Sequence, residues 1–159
     1  MNDRWFRLGE SGRYPAQAMK WSKLKRLVES NLAADVADRI RFHTTRYRGA
    51  HDGMGRSWIT LDGSEIMNMQ HLSGSAALEN TDRHQSGVYT AYDLPDAMAE
   101  FLTLSIDDAL VSKNPLIRAL GVVDRRTGKR RIQLMDPCQE PFPVNEFIRL
   151  RRQKSENAG

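Results

Sequence analysis

One cysteine, Cys138, is all the thiol that this 159-residue chain carries. No intramolecular disulfide can staple it and no thiolate set can hold a metal, as expected of a reducing compartment. Long apolar runs are missing as well. No stretch approaches the ~20 residues that a membrane span needs, and the charged start Met1-Asn-Asp-Arg-Trp-Phe-Arg7 lacks the apolar stretch of a secretion signal. A cytoplasmic protein with no membrane partner is expected. The four histidines, His43, His51, His71 and His84, lack zinc-ligand spacing, and no Gly-x-Ser-x-Gly elbow occurs. Thr127-Gly-Lys129 looks like the end of a phosphate loop, but Gly121 lies too far before Gly128 and Arg130 stands where Ser or Thr would bind magnesium. Neither a metal nor a cofactor is expected, and catalysis is the weakest of the functional expectations.

What is present suffices for a core. Apolar residues make up 40% of the chain, enough for one domain without staples. Residues 19–154 read as that domain. Residues 1–18 read as an N-terminal extension without periodicity, and residues 155–159 as a short tail. The net charge of +4 conceals a segregation: from Asp62 to Asp108 there are nine acids against the single base Arg83. Such asymmetry suits oriented association with a charged partner or a second copy, unless the two segments neutralise each other side by side.

Periodicity organises the rest. Leu24, Leu27, Val28 and Leu32 recur at helical spacing after Ser22, predicting a helix from about Lys23 to Ala34 with Ser22 as its N-cap. The stretch Arg39–Arg48 then alternates cations with β-branched and aromatic residues, the period of a strand. Residues 49–55 form a glycine-rich loop. Ser57–Leu61 predicts a second strand, Asp62-Gly63 a hairpin, and Ser64–Gln70 a third strand. Residues 72–91 read as a mobile loop. Asp93-Leu-Pro-Asp96 and Ser105-Ile-Asp-Asp108 start helices as capping boxes. Asn114-Pro115 starts another, with Gly128 as its stop. Residues 119–134 could instead be two strands around an Arg-Arg-Thr-Gly turn. The helix is preferred because Asn-Pro is so well placed to begin one. A last helix covers Asn145–Gln153. The expected class is α+β, a three-stranded antiparallel meander packed against several helices.

Trp21-Ser-Lys-Leu-Lys25, Phe42-His-Thr-Thr-Arg-Tyr-Arg48, His51-Asp-Gly53, Gly55-Arg56, Trp58-Ile-Thr60, Asn114-Pro-Leu-Ile-Arg-Ala-Leu120, Asp124-Arg-Arg126 and Gly128-Lys-Arg130 follow in that order. Together they resemble a family of small bacterial proteins with no assigned activity, over about residues 19–150. The resemblance implies no catalytic or binding residue.

Three clusters could bind an anion. Strand alternation puts Arg39, Arg41, His43 and Tyr47 on one side of the sheet with Trp58, the mixture of cations and rings that nucleic-acid-binding sheets use. The competing expectation is that a helix covers this side. Arg46, Arg48, His51 and Arg56 surround the glycine loop and could grip a phosphate or carboxylate, or pair locally at a solvated hairpin tip. Arg125, Arg126, Lys129 and Arg130 gather at an expected helix C-terminus, where complementing the dipole could be their whole purpose. The leading expectation is a non-catalytic binding protein for an anionic partner, nucleic acid above all. Its rivals are a protein–protein adaptor or self-associating protein using the acidic middle segment, and an enzyme acting on a small anionic substrate at Arg46, Arg48, His51 and Arg56.

Overall fold

Helix α1 (Trp21–Ser30) opens the fold in a computed structural model that describes residues 19–45, 55–70, 83–84 and 86–156. The expected extension 1–18, most of the glycine loop, and residues 71–82 and 157–159 lie outside the described residues. Leu24 and Val28 are buried on one side of α1. Lys20 occupies the N-cap position without a side-chain bond, so Ser22 lies inside the helix and not at its cap.

Strands β1 (Ile40–Thr45), β2 (Arg56–Leu61) and β3 (Ser64–Gln70) form an antiparallel meander in the order β1-β2-β3. Asp62 and Gly63 both have positive φ, 52° and 81°, the pair that a two-residue type I′ turn requires. Phe42 lies opposite Ile59, and Ile59 opposite Met67, so these apolar side chains share the inner face. A register shift at Ile59/Thr60 leaves Ile66 as the extra residue of a bulge. The free edge of β1 is covered by α1. Lys25 Nζ donates to the Phe42 carbonyl at 2.7 Å, and Phe42 N–H donates to Glu29 Oε1 at 3.1 Å. Edge groups that could recruit another strand are thereby occupied.

Helices α2 (Asp93–Phe101), α3 (Ile106–Leu110), α4 (Pro115–Val123), α5 (Lys129–Leu134) and α6 (Val144–Glu156) follow, with a 3₁₀ turn at Pro137–Gln139. Helix α4 packs against α2, α3 and α6, and one apolar cluster joins these helices to α1 and the inner sheet face. The architecture is α+β. Ser105 Oγ accepts the Asp108 N–H and Asn114 Oδ1 accepts the Leu116 N–H, so both expected caps form.

The course of 119–134 differs from both expectations. Helix α4 ends at Val123, and a second helix begins at Lys129 with Gly128 as its N-cap, φ −69°. Gly128 is therefore not a left-handed stop, and no hairpin forms. Asp124 supplies the reason, because its Oδ1 accepts the N–H of Arg126 at 2.8 Å and offers the backbone an alternative to helix. Outside the chain's local order, Ala33 N–H donates to the Val123 carbonyl and Arg125 N–H to the Asn31 carbonyl, each at 2.8 Å. These two bonds bind the end of α4 to the end of α1.

No helix among the described residues is long and apolar enough to cross a membrane.

Candidate functional site

On the sheet side opposite the core, Arg41, His43, Arg56, Trp58 and Thr60 are each half-buried. His43 lies against Trp58 across the β1–β2 pair, ring centroids 4.9 Å apart and planes 11° from parallel. The Arg56 guanidinium lies 4.0 Å from the centre of the Trp58 ring. His43 Nε2 sits 3.0 Å from Thr60 Oγ1. Burial, then the charge of Lys25, with smaller contributions from Arg56 and Arg41, pushes the imidazole below its ordinary value against the pull of Glu29. His43 is thus a neutral ring at pH 7, not a third cation.

The arginines here have internal partners. Arg39 precedes β1 and grips Asp62 in a two-pronged pair, Nε to Oδ1 at 2.8 Å and Nη2 to Oδ2 at 2.6 Å. That bond raises its already high value. Arg56 pairs with Glu65 at 2.7 Å. Arg41 donates to the carbonyls of Ala37 and Ile40. Sequence alternation thus correctly grouped Arg41, His43 and Trp58, while Arg39 belongs to the hairpin end. Arg46, Tyr47, Arg48, His51 and Asp52 lie outside the described residues.

The cluster at 125–130 occupies a different setting from the one expected. Lys129 and Arg130 stand in the first turn of α5, and Arg125 and Arg126 follow the end of α4. Cations in a first turn oppose the helix dipole instead of complementing it. Arg126 is held by Asp124, Nε to Oδ1 at 2.9 Å and Nη2 to Oδ2 at 3.2 Å, with its guanidinium 5.6 Å from the centre of the Phe101 ring. Arg131 pairs with Asp107. Arg125, Lys129 and Arg130 are exposed and have no acidic partner among the described residues.

Two arginines of the last helix, Arg151 and Arg152, turn out to be structural. Arg151 is buried and donates to the carbonyls of Val122 at 2.8 Å and Thr127 at 2.6 Å. Arg152 donates to the carbonyls of Gln133 and Met135, at the end of α5. Both satisfy helix-end acceptors that would otherwise be orphaned.

A buried polar cluster escaped sequence reasoning. Arg83, His84 and Asp93 are 6%, 6% and 7% exposed, within or beside the stretch read as a mobile loop. Arg83 Nη1 meets Asp93 Oδ2 at 2.5 Å and Nη2 meets Oδ1 at 3.1 Å, while the Thr90 N–H donates to Oδ2 at 2.6 Å. Burial alone would raise the Asp93 carboxyl. The approach of His84 and the bonds from Arg83 and Thr90 reverse that and hold it at about 2. His84 Nε2 is 3.3 Å from Oδ1 without hydrogen-bond geometry, and its ring stacks on Tyr89 at 5.1 Å. One turn on, burial and then the charges of Asp93 and Glu100 push Asp96 up to about 7. The Arg83–Asp93 pair and the Thr90–Asp93 bond tie Arg83 and Thr90 to the first turn of α2. Asp93 begins the helix and serves this tie, not the N-cap expected of it.

An open groove of about 510 Å³ lies between Leu110–Pro115 and Glu140–Pro141. Of the polar groups lining it, Arg118 is engaged by Glu140 and the Ser112 carbonyl, and Lys113 is exposed.

No curated protein and no solved structure matches the chain. The profile of the SF0329 protein family matches residues 20–86 and 74–152, which takes in the sheet, the Arg83–Asp93 pair and the Asp124–Arg126 turn alike. With nearly the whole described fold inside the match, the chain belongs to the SF0329 protein family.

Proposed function

We propose that the protein is a non-catalytic binding protein for an anionic partner, and that nucleic acid is the partner its chemistry fits best. The observation that carries this reading is the trio Arg125, Lys129 and Arg130, exposed and without acidic partners among the described residues. Two of the three stand where the helix dipole opposes them, so helix stability does not account for their presence. Arg41 adds positive charge on the sheet without an acid bound to it among the described residues. Arg39 and Arg56 add less, since Asp62 and Glu65 offset them.

Titration of short DNA and RNA at two salt concentrations tests the proposal. Phosphate contacts make affinity fall steeply as salt rises. Absence of binding at the lower salt ends the reading. Adaptor function is less favoured. Asp62, Glu65 and Asp107 of the acidic segment are already paired within the chain, with Arg39, Arg56 and Arg131.

A further inference from the structure

We infer that the partner is gripped by its phosphate backbone, along a track that starts on α1 with Lys20, Lys23 and Arg26 and continues into Arg125, Lys129 and Arg130, without base stacking. The inference rests on the binding function proposed above and names the part of the ligand that is recognised.

Lys23 and Arg26 are exposed on the side of α1 turned away from buried Leu24 and Val28, and exposed Lys20 immediately precedes the helix. A step of three residues advances about 4.5 Å along a helix and returns close to the same side, so the three form a stripe. None has an acidic partner among the described residues, whereas Lys25 of the same helix is bound to Glu29 at 2.5 Å. The tertiary structure then extends the stripe. Arg125 N–H bonds to the Asn31 carbonyl at 2.8 Å, and Leu32 forms a β-bridge with Asp124. The residues that follow α1 and the start of the 124–130 segment, Asp124 and Arg125, are therefore held side by side. Acids close to this junction have cationic neighbours of their own: Glu29 has Lys25, Asp35 faces Arg151 at 3.6 Å, and Asp124 holds Arg126. Asp38, exposed farther along the α1–β1 connection, subtracts one charge from the neighbourhood.

Among the described residues, the track itself carries no open aromatic face, and the exposed ring of Phe142 lies elsewhere, just before α6. Binders of single strands stack bases on open aromatic faces. Here Trp58 is stacked with His43 beneath Arg56, and Trp21 packs against the core. Such a surface suits a regular array of phosphates, as on a duplex, more than splayed bases.

The experiment is fluorescence anisotropy with a labelled mixed-sequence DNA duplex and with one of its strands alone, at several salt concentrations. Six phosphate contacts make duplex affinity fall about a thousandfold between about 50 and about 200 mM salt. The variant K20Q/K23Q/R26Q is expected to flatten the slope of log affinity against log salt by about 3, and R125Q/K129Q/R130Q by a similar amount. Far-UV circular dichroism checks that both variants keep their helices. An unchanged slope in the α1 variant beside a flattened slope in the other removes α1 from the site and leaves the binding function standing. Tighter binding of the single strand, lost in Trp58→Phe or Trp58→Ala, overturns backbone recognition. Wild-type protein that binds neither probe at the lowest salt overturns both this inference and the function beneath it.

Discussion

His43 lies flat against Trp58 across the β1–β2 pair, and the two rings form the centre of the outer sheet face. Because the folded protein holds the imidazole below its ordinary value, the unfolded chain takes up a proton that the folded one resists. Stability therefore falls as pH drops from the ordinary histidine value through the lowered folded one. His43→Gln removes the titrating ring. Urea melts at pH 7 and pH 5 are expected to show a smaller acid loss for the variant, and identical losses would refute the assignment.

Asp96 behaves in the opposite sense. Its carboxyl titrates at about 7 in the fold against 3.8 in the free chain, so the folded state holds a proton that the unfolded one gives up. That difference lowers stability as pH rises from about 4 to about 7, after which the loss is constant. Asp96→Asn is expected to stabilise the protein at pH 7 and above by on the order of 2 kcal/mol, discounted for partial exposure, and to add nothing near pH 4. A gain that does not depend on pH would point to another cause.

Arg151 reaches from α6 to the carbonyls of Val122 and Thr127. Its replacement by Met fills similar volume but orphans those acceptors and removes the cation facing Asp35. The expected loss is about 2–4 kcal/mol by chemical denaturation. Arg151→Lys keeps the charge without the fork and is expected to recover part of it. A loss near zero for the Met variant means that water replaces those bonds.

Lys129 and Arg130 predict the reverse outcome. They oppose the α5 dipole, so neutral glutamines there are expected to leave the melting temperature unchanged or raise it slightly. A clear fall in melting temperature would assign them a structural task and weaken the binding proposal.

Edge protection by Glu29 gives a further check. Glu29→Ala frees the Phe42 N–H and releases Lys25. About 1–2 kcal/mol of stability is expected to go with it, and light scattering is expected to show more self-association as the β1 edge opens. Unaltered stability and mass would show that the edge needs no cover.

Much of this fold was legible from neighbours in the chain. Alternation in 39–48 and 57–61, the Asp62-Gly63 turn and the Asn114-Pro115 start each depend on a few consecutive residues, and each predicted element formed over its described residues, the first strand over Ile40–Thr45. Asp124 carried a readable signal as well, since an aspartate that can bond the N–H two residues on competes with helix. The run of apolar residues before it masked that signal. For Arg83 and His84 no local pattern existed, because an arginine in a polar stretch looks the same whether it faces water or a carboxylate ten residues away.

From sequence alone came the α+β class, the strand order along the chain, most helix starts and the pairing of Arg41, His43 and Trp58 on one sheet face, all set by backbone sterics and side-chain periodicity. Tertiary structure alone decided which charges remain available. Asp62, Glu65, Asp107 and Asp124 each take an arginine, and α1 is brought against Arg125 by a bond between residues far apart in the chain. Charge pairing depends on distance in space, and that distance exists only once the core has formed.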